Sequence, residues 1–194
     1  PQVLRHKLMD VNYMEFTHDL AEVPHNFAQR FYASPEEKKL AAEQRAALAG
    51  DRPLIGWVLR GSSVHKVWPY VRAVVARLIQ KTDAAVMLIG DKSCQDFEKA
   101  ILTYVAELCG KEAVKRVWVT CGEFPIRASM VYATTGVDVL VGPETGVMNA
   151  AALEPVQKVV FLSHSSQENL TKHWTNYRVL EAFPACRPCH RLHY

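Results

Sequence analysis

The chain has 194 residues, 49% of them hydrophobic and 22% charged, with a formal net charge of +3. That is the make-up of a globular domain, or of one domain plus part of another, and the mixed charge gives no footprint for nucleic acid. No apolar run approaches the ~18 residues of a membrane span, and no signal-peptide pattern opens the chain.

Residues 1–33 have mixed polarity and no clean period, as expected of the remnant of a preceding domain and its connection. Ser34-Pro35-Glu36-Glu37 then opens a helix, with Ser34 as N-cap, Pro35 in the first turn and Glu37 completing a capping box. Gly50 ends this charged, exposed linker helix, and a domain boundary is placed between residues 50 and 51.

From residue 53 the pattern becomes regular. Short apolar strands are expected at 54–60, 84–90, 116–120, 137–141 and 158–163, and helices at 70–81, 95–110, 126–135 and 146–153. The strand segments are continuously apolar rather than alternating, which fits strands covered on both faces. Strand and helix in alternation define an α/β fold with a doubly wound parallel sheet, Rossmann-like, over residues 51–182. In such sheets ligands bind beyond the carboxyl ends of the strands, so the loops at 60–68, 90–94, 121–125 and 142–145, and from 163 onward, should carry the chemistry.

The first loop reads RGSSVHKVWP, residues 60–69. Gly61 permits close backbone approach, Ser62 and Ser63 offer hydroxyls, Lys66 adds a mobile cation, and Trp68-Pro69 leads into a helix. This set suits a phosphate, although the GxxxxGK[ST] pattern is absent. A polar connection with a solvated lysine accounts for it equally well. The second stretch reads VGPETGVMNAAA, residues 141–152. Thr145 and Gly146 begin a helix of small residues that can bring its N-terminal donors close to a ligand. Glu144 would accept from sugar hydroxyls; the alternative is a capped turn in which Glu144 faces the helix dipole. Asp91, Lys92 and Asp96 in the loop after the second strand, and Glu123 after the third, are candidates for a ribose hydroxyl, with solvated charge as the plainer account of each. His173 and Trp174 are further candidates for a sugar pocket, with packing as the plainer role.

Together, GSSVHKVWP and VGPETGVMNAAAL, about eighty residues apart, resemble the donor-nucleotide half of glycosyltransferase family 9, the ADP-heptose-type heptosyltransferases. The resemblance implies the C-terminal, donor-binding half of a two-domain GT-B enzyme that transfers a sugar, heptose in the family, from a nucleotide-diphosphate donor. It implies that Ser62, Ser63 and Lys66 hold the diphosphate, that Glu144 meets the sugar hydroxyls, that Thr145 and Gly146 turn helix donors to the phosphates, and that Asn149 belongs to the substrate-binding set. The acid is Glu144 where the family often has Asp, and Asn149 stands where some relatives have His. The catalytic base is expected in an N-terminal domain outside this chain. No metal cofactor is required for the transfer, since Lys66 supplies the cation. The family also implies a saccharide or lipid-linked cell-envelope acceptor, as in lipopolysaccharide biosynthesis, and a cytoplasmic location with peripheral contact at the inner membrane.

The chain carries five cysteines. Cys94, Cys109 and Cys121 are isolated in apolar or helical context, as reduced thiols would be. Cys186 and Cys189, in the C-terminal segment 183–194, have the spacing of half a zinc or iron site, with His190 and His193 nearby; a pair of plain thiols fits equally well. Two other readings of the whole chain stay open at this stage: a non-catalytic nucleotide- or metal-binding assembly module, and a GT-B-shaped sugar-nucleotide epimerase.

Overall fold

The computed structural model of the chain describes residues 11–181. Its centre is one sheet of six strands, all parallel, in the order β3-β2-β1-β4-β5-β6. The strands are β1 (Leu54–Val58), β2 (Ala85–Ile89), β3 (Val117–Val119), β4 (Val139–Pro143), β5 (Gln157–Leu162) and β6 (Tyr177–Glu181). The helices are α1 (Tyr13–Leu20), α2 (Pro35–Ala49), α3 (Val71–Lys81), α4 (Gln95–Cys109), α5 (Ile126–Val131) and α6 (Gly146–Ala150).

The sheet is covered on both faces, as its unbroken apolar strands require. Alternate residues of β2 show this directly: Ala85, Met87 and Ile89 pack with α2, α5 and α6 residues, while Val86 and Leu88 pack with Val71, Val75 and Ile79 of α3 and Ile101 and Val105 of α4. The chain winds outward from β1 through β2 to β3, then returns through α5 to β4 beside β1 and winds outward again. The strand order therefore reverses between β1 and β4. Here β4 lies tightly against β1, because a Cβ on Gly142 would stand 2.7 Å from Val58 Cβ.

The capping box of α2 is formed as the sequence indicates: Ser34 Oγ accepts from Glu37 N, and Glu37 returns the bond to Ser34 N. The helix does more than link, however. Ala41 and Ala49 are buried in the core, and Glu37 holds Arg127 of α5 at 2.6 Å.

Four local features differ from expectation. The expected 126–135 helix changes to a wider π-turn at Tyr132–Gly136, where the Thr134 and Thr135 hydroxyls bond back to Met130 O at 2.9 Å and Val131 O at 2.7 Å. The 146–153 helix stops at Ala150. Residues in the unpatterned opening stretch form α1, capped by Asn12, whose side-chain amide also donates to Glu168 O at 2.8 Å. A further strand, β6, lies at the sheet edge with alternating exposure, so it lacked the continuous apolar signal of the others.

Candidate functional site

The strand-order reversal opens a cleft of about 540 Å³ over the carboxyl ends of β1, β2 and β4. One wall is the loop after β1, contributing Arg60, Gly61, Ser62 and Lys66; the opposite wall is the turn after β4, contributing Glu144, Thr145, Gly146 and Asn149. Gly90 and Asp91 after β2, with Phe124 and Ser129 beyond β3, close the far end. A second cavity of about 230 Å³ adjoins it, sharing Lys66, Glu144 and Asn149 and walled by Tyr13 and Phe16 of α1 and by His164, Ser165 and Asn169.

The loop after β1 is a compact ring. Arg60 and Val67 form an antiparallel bridge, Gly61 N donates to Lys66 O at 3.2 Å, and Lys66 N donates to Ser63 O at 2.9 Å. Gly61 is needed because a Cβ there would lie 2.6 Å from Lys66 Cδ; the bare glycine lets the lysine stem run along the loop. Trp68 fixes the base of the ring, its indole packed 5.0 Å from Phe161 of β5 and 6.0 Å from Trp57 of β1. Helix α3 begins only at Val71, with no side-chain cap, and its first turn lies outside the cleft lining. The cationic character of this wall therefore comes from Lys66 and Arg60. No carboxylate forms an ion pair with Lys66 among the described residues.

The turn after β4 is organised around Glu144, which is 5% exposed. Its Oε1 accepts from Ser163 N at 2.8 Å, Ser165 N at 3.3 Å and Ser165 Oγ at 2.7 Å. Its Oε2 pairs with His164 Nδ1 and takes a longer bond from Ser163 Oγ at 3.4 Å. Burial pushes this carboxyl up, but the hydrogen bonds from His164 and Ser165, the attraction to His164 and the Ser163 N–H outweigh it and hold the group down at about 2. The His164 ring in turn meets His65 edge to face, centroids 4.9 Å apart, so the two sequence motifs are joined across the sheet through Glu144, His164 and His65. Thr145 caps α6, its Oγ1 accepting from Met148 N at 3.3 Å. With α6 only five residues long, any anion here meets a few local N–H groups rather than a long helix dipole.

Of the ribose candidates, Asp91 alone lines the cleft, its Oδ1 accepting from Ser93 N at 2.8 Å; the Ser93 side chain also holds its carboxyl below the usual range. Lys92, Asp96 and Glu123 lie outside the lining, and Asp96 pairs with Lys99 at 3.5 Å. His173 stacks on Phe27 and bonds Glu15 at 2.7 Å, and Trp174 is buried in the core; neither lines a cavity of the site. Arg60, His164 and Ser165 were not singled out in the sequence, although two of them belong to the loop from residue 163 onward. Cys186, Cys189, His190 and His193 lie outside the described residues. Among the described residues no group of three His, Cys, Asp or Glu side chains is placed to hold a metal ion.

A doubly wound parallel sheet with its cleft at the strand-order reversal defines an α/β domain of the Rossmann-like, nucleotide-binding type. Residues 5–178 match the family model described as glycosyltransferase family 9 (heptosyltransferase), and the chain belongs to that family. Among solved structures it is similar to the ADP-heptose lps heptosyltransferase II of E. coli, at 20% identity and a TM-score of 0.66, over 82% of this chain and 47% of that one. It is also similar to the glycosyl transferase family 9 protein of Veillonella parvula DSM 2008, at 14% identity and a TM-score of 0.70, over 93% of this chain and 53% of that one. The chain thus spans about half the length of these two structures. A comparison with curated proteins gives no match.

Proposed function

We propose that the cleft binds the nucleoside-diphosphate end of an activated sugar, and that this chain is the donor-binding part of a sugar transferase. One observation carries the reading: Lys66, without a carboxylate partner among the described residues, faces the Thr145–Gly146 turn across a cleft at the strand-order reversal. In this reading Lys66 and the Ser62 hydroxyl hold the diphosphate, Ser63 lying outside the cleft lining, with Thr145 and Gly146 presenting backbone donors from the other wall. Negative charge grows on the diphosphate as it departs, and Lys66 stabilises it there most strongly. The sugar extends toward the smaller cavity, where Asn149 is exposed and Glu144 forms the floor. A sugar hydroxyl reaches Glu144 by displacing its weakest internal donor, Ser163 Oγ at 3.4 Å.

Family membership makes ADP-heptose the first donor to test, with a saccharide or lipid-linked saccharide of the cell envelope as acceptor and the cytoplasmic face of the inner membrane as the place of reaction. Among the described residues no helix is long and apolar enough to cross a membrane, so membrane contact in this reading is peripheral. The catalytic base is assigned to a part of the enzyme outside this chain. Calorimetric titration with ADP tests the site. Binding by the wild-type chain, weakened about 10–100-fold in Lys66→Ala through loss of a charge-assisted contact, is the expected result. No ADP binding by the wild type, or equal affinity in the variant, overturns it.

A further inference from the structure

Two thiols at the far end of the cleft have no part in the function just described. Cys94 and Cys121 are each 1% exposed and come from different loops, the one after β2 and the one after β3. Both sulfurs lie against the same glycine: a Cβ on Gly90 would stand 2.7 Å from Cys94 Sγ and 3.0 Å from Cys121 Sγ. The two thiols are near enough to shift one another's proton affinity, while Cys121 Sγ lies 3.9 Å from Leu88 O and Cys94 Sγ 3.9 Å from Asp91 Oδ1. Both also belong to the apolar cluster that packs α3 and α4 on the sheet, so what sets them apart from core filler is that two thiols from different loops meet at one glycine.

Their surroundings differ in a chemically useful way. Cys94 immediately precedes α4, a 15-residue helix whose positive end favours a thiolate. The neighbouring Cys121 thiol holds the Cys94 thiol below its usual range, against burial and the nearby Asp91 carboxylate, with Arg60 adding a favourable charge. Cys121 is pushed the other way, by the Cys94 thiol, by burial and by the adjacent Glu98 carboxylate. One thiol is thus set up to attack and the other to resolve. Both belong to the loops that close the cleft. Gly90 and Asp91, just ahead of Cys94, line it, and so does Phe124, just after Cys121. Gly122 N donates to Gly90 O at 3.2 Å and Gln95 Nε2 to Cys121 O at 3.1 Å, so the two loops are already joined by hydrogen bonds.

We propose that Cys94 and Cys121 are a redox-active dithiol buried behind the cleft wall, closed to an intramolecular disulfide by low-molecular-weight disulfides and thereby pinning the β2 and β3 loops together. Cys94 loses its proton to solvent and its thiolate attacks one sulfur of the small disulfide. This forms a mixed disulfide and releases one small thiolate. The released thiolate takes up a proton from solvent; Cys121 sulfur then attacks Cys94 Sγ, the Cys94–small-thiol S–S bond breaks, and the Cys121 proton passes to the departing sulfur, which leaves as the second small thiol. Two cysteine thiols are oxidised and one external disulfide is reduced to two thiols, so atoms and electrons balance. Burial makes entry slow, and it proceeds through openings of the 121–125 loop rather than at the resting surface.

The test is incubation of the full chain with hydroxyethyl disulfide, acid quenching, alkylation in denaturant and peptide mass mapping. The expected product is a peptide pair joined through Cys94 and Cys121, lighter by two hydrogens and returned to free thiols by dithiothreitol. Cys121→Ser should retain the hydroxyethylthio adduct on Cys94, whereas Cys94→Ser should leave Cys121 unmodified. Complete alkylation of both thiols in the wild type overturns the proposal, and so does a Cys121 that reacts as readily as Cys94 in the single variants. The effect on the cleft is read as ADP affinity before and after oxidation, with a fall of about fivefold expected; this clause rests on the nucleotide reading above. If the reduced chain binds no ADP, that reading fails while the mass map still decides the dithiol. Equal affinity in both states overturns the coupling.

Discussion

On the β1 side of the cleft, Lys66 is half-buried and has no carboxylate partner among the described residues; on the β4 side, Glu144 is 5% exposed and takes hydrogen bonds from Ser163, His164 and Ser165. In sequence both look like a charge beside glycine and hydroxyls at the end of an apolar strand. In the fold one charge is left without an ion-pair partner among the described residues and the other is spent largely within the chain. The difference arises from topology. The loop after β1 closes on itself between Arg60 and Val67, leaving its lysine at the rim. The turn after β4 lies beside the end of its hydrogen-bonded neighbour β5, whose loop supplies the donors that a buried carboxylate needs. Mutations should therefore separate the two walls by what they damage, stability on the Glu144 side and ligand affinity on the Lys66 side.

The largest expected effect is that of Glu144→Gln. It removes the charge but keeps the shape, leaving His164 and Ser165 to donate to a weaker acceptor. A loss of about 3 kcal/mol at neutral pH is expected from urea unfolding, the scale of breaking a buried pair. The pH dependence gives a sharper signature. The folded carboxyl lies at about 2 against an ordinary value of 4.5. The folded value being the lower, its stabilisation is complete above the ordinary value and drains away as pH falls from there through the folded value. The gap between wild type and Glu144→Gln should accordingly shrink across that acid window. A gap that is constant with pH would mean that the carboxylate's internal bonds are not what stabilises this wall.

Lys66→Ala is the mirror experiment. Alongside its loss of ADP affinity, the same variant should unfold within about 0.5 kcal/mol of wild type, because no internal ion pair is broken. A large stability loss would mean that the Lys66 stem along Gly61 is a packing element and that the walls are less different than they look. Ser165→Ala should fall between the two. It deletes the 2.7 Å bond from a buried hydroxyl to Glu144 Oε1, and a loss of about 1–2 kcal/mol in unfolding free energy is expected. Full stability in that variant would show that the N–H groups of residues 163 and 165 suffice to hold the carboxylate.

The contrast also explains what could be read from the sequence. The sheet was legible because β2 and β4 are unbroken apolar runs, and runs of that kind place strands inside a parallel sheet. β6 was missed because an edge strand is half-solvated and alternates, giving too short a signal across Tyr177–Glu181. α1 was missed because its anchors are distant: Asn12 bonds Glu168 O, and Asn169 bonds Val11 O, with more than 150 residues between partners. Within the site, glycine and hydroxyls around Lys66 could be recognised locally, since that loop is closed by its own residues. The carboxylate's internal commitments could not, because they depend on residues 163–165 beyond a helix and a strand. Arg60 escaped notice for a related reason. Only the adjacency of β1 and β2 brings it near Asp91 and Cys94.

The smallest expected effect bears on how far the Lys66 wall depends on hydroxyls. Ser62 is exposed and lines the cleft, whereas Ser63 is half-buried and its carbonyl accepts from Lys66 N. Of the two serines only Ser62 belongs to the cleft lining, so its hydroxyl is the one open to a ligand there. A neutral hydroxyl donating to a phosphate adds about 1 kcal/mol, so Ser62→Ala should weaken ADP binding about three- to tenfold, less than Lys66→Ala, with no change in unfolding. The two losses should not simply add in the double variant, because in the proposed reading both groups hold one diphosphate from a single small loop. Strict additivity, or an effect of Ser62→Ala equal to that of Lys66→Ala, would mean that this loop does not close on one anion, and the division of labour between the two walls would have to be redrawn.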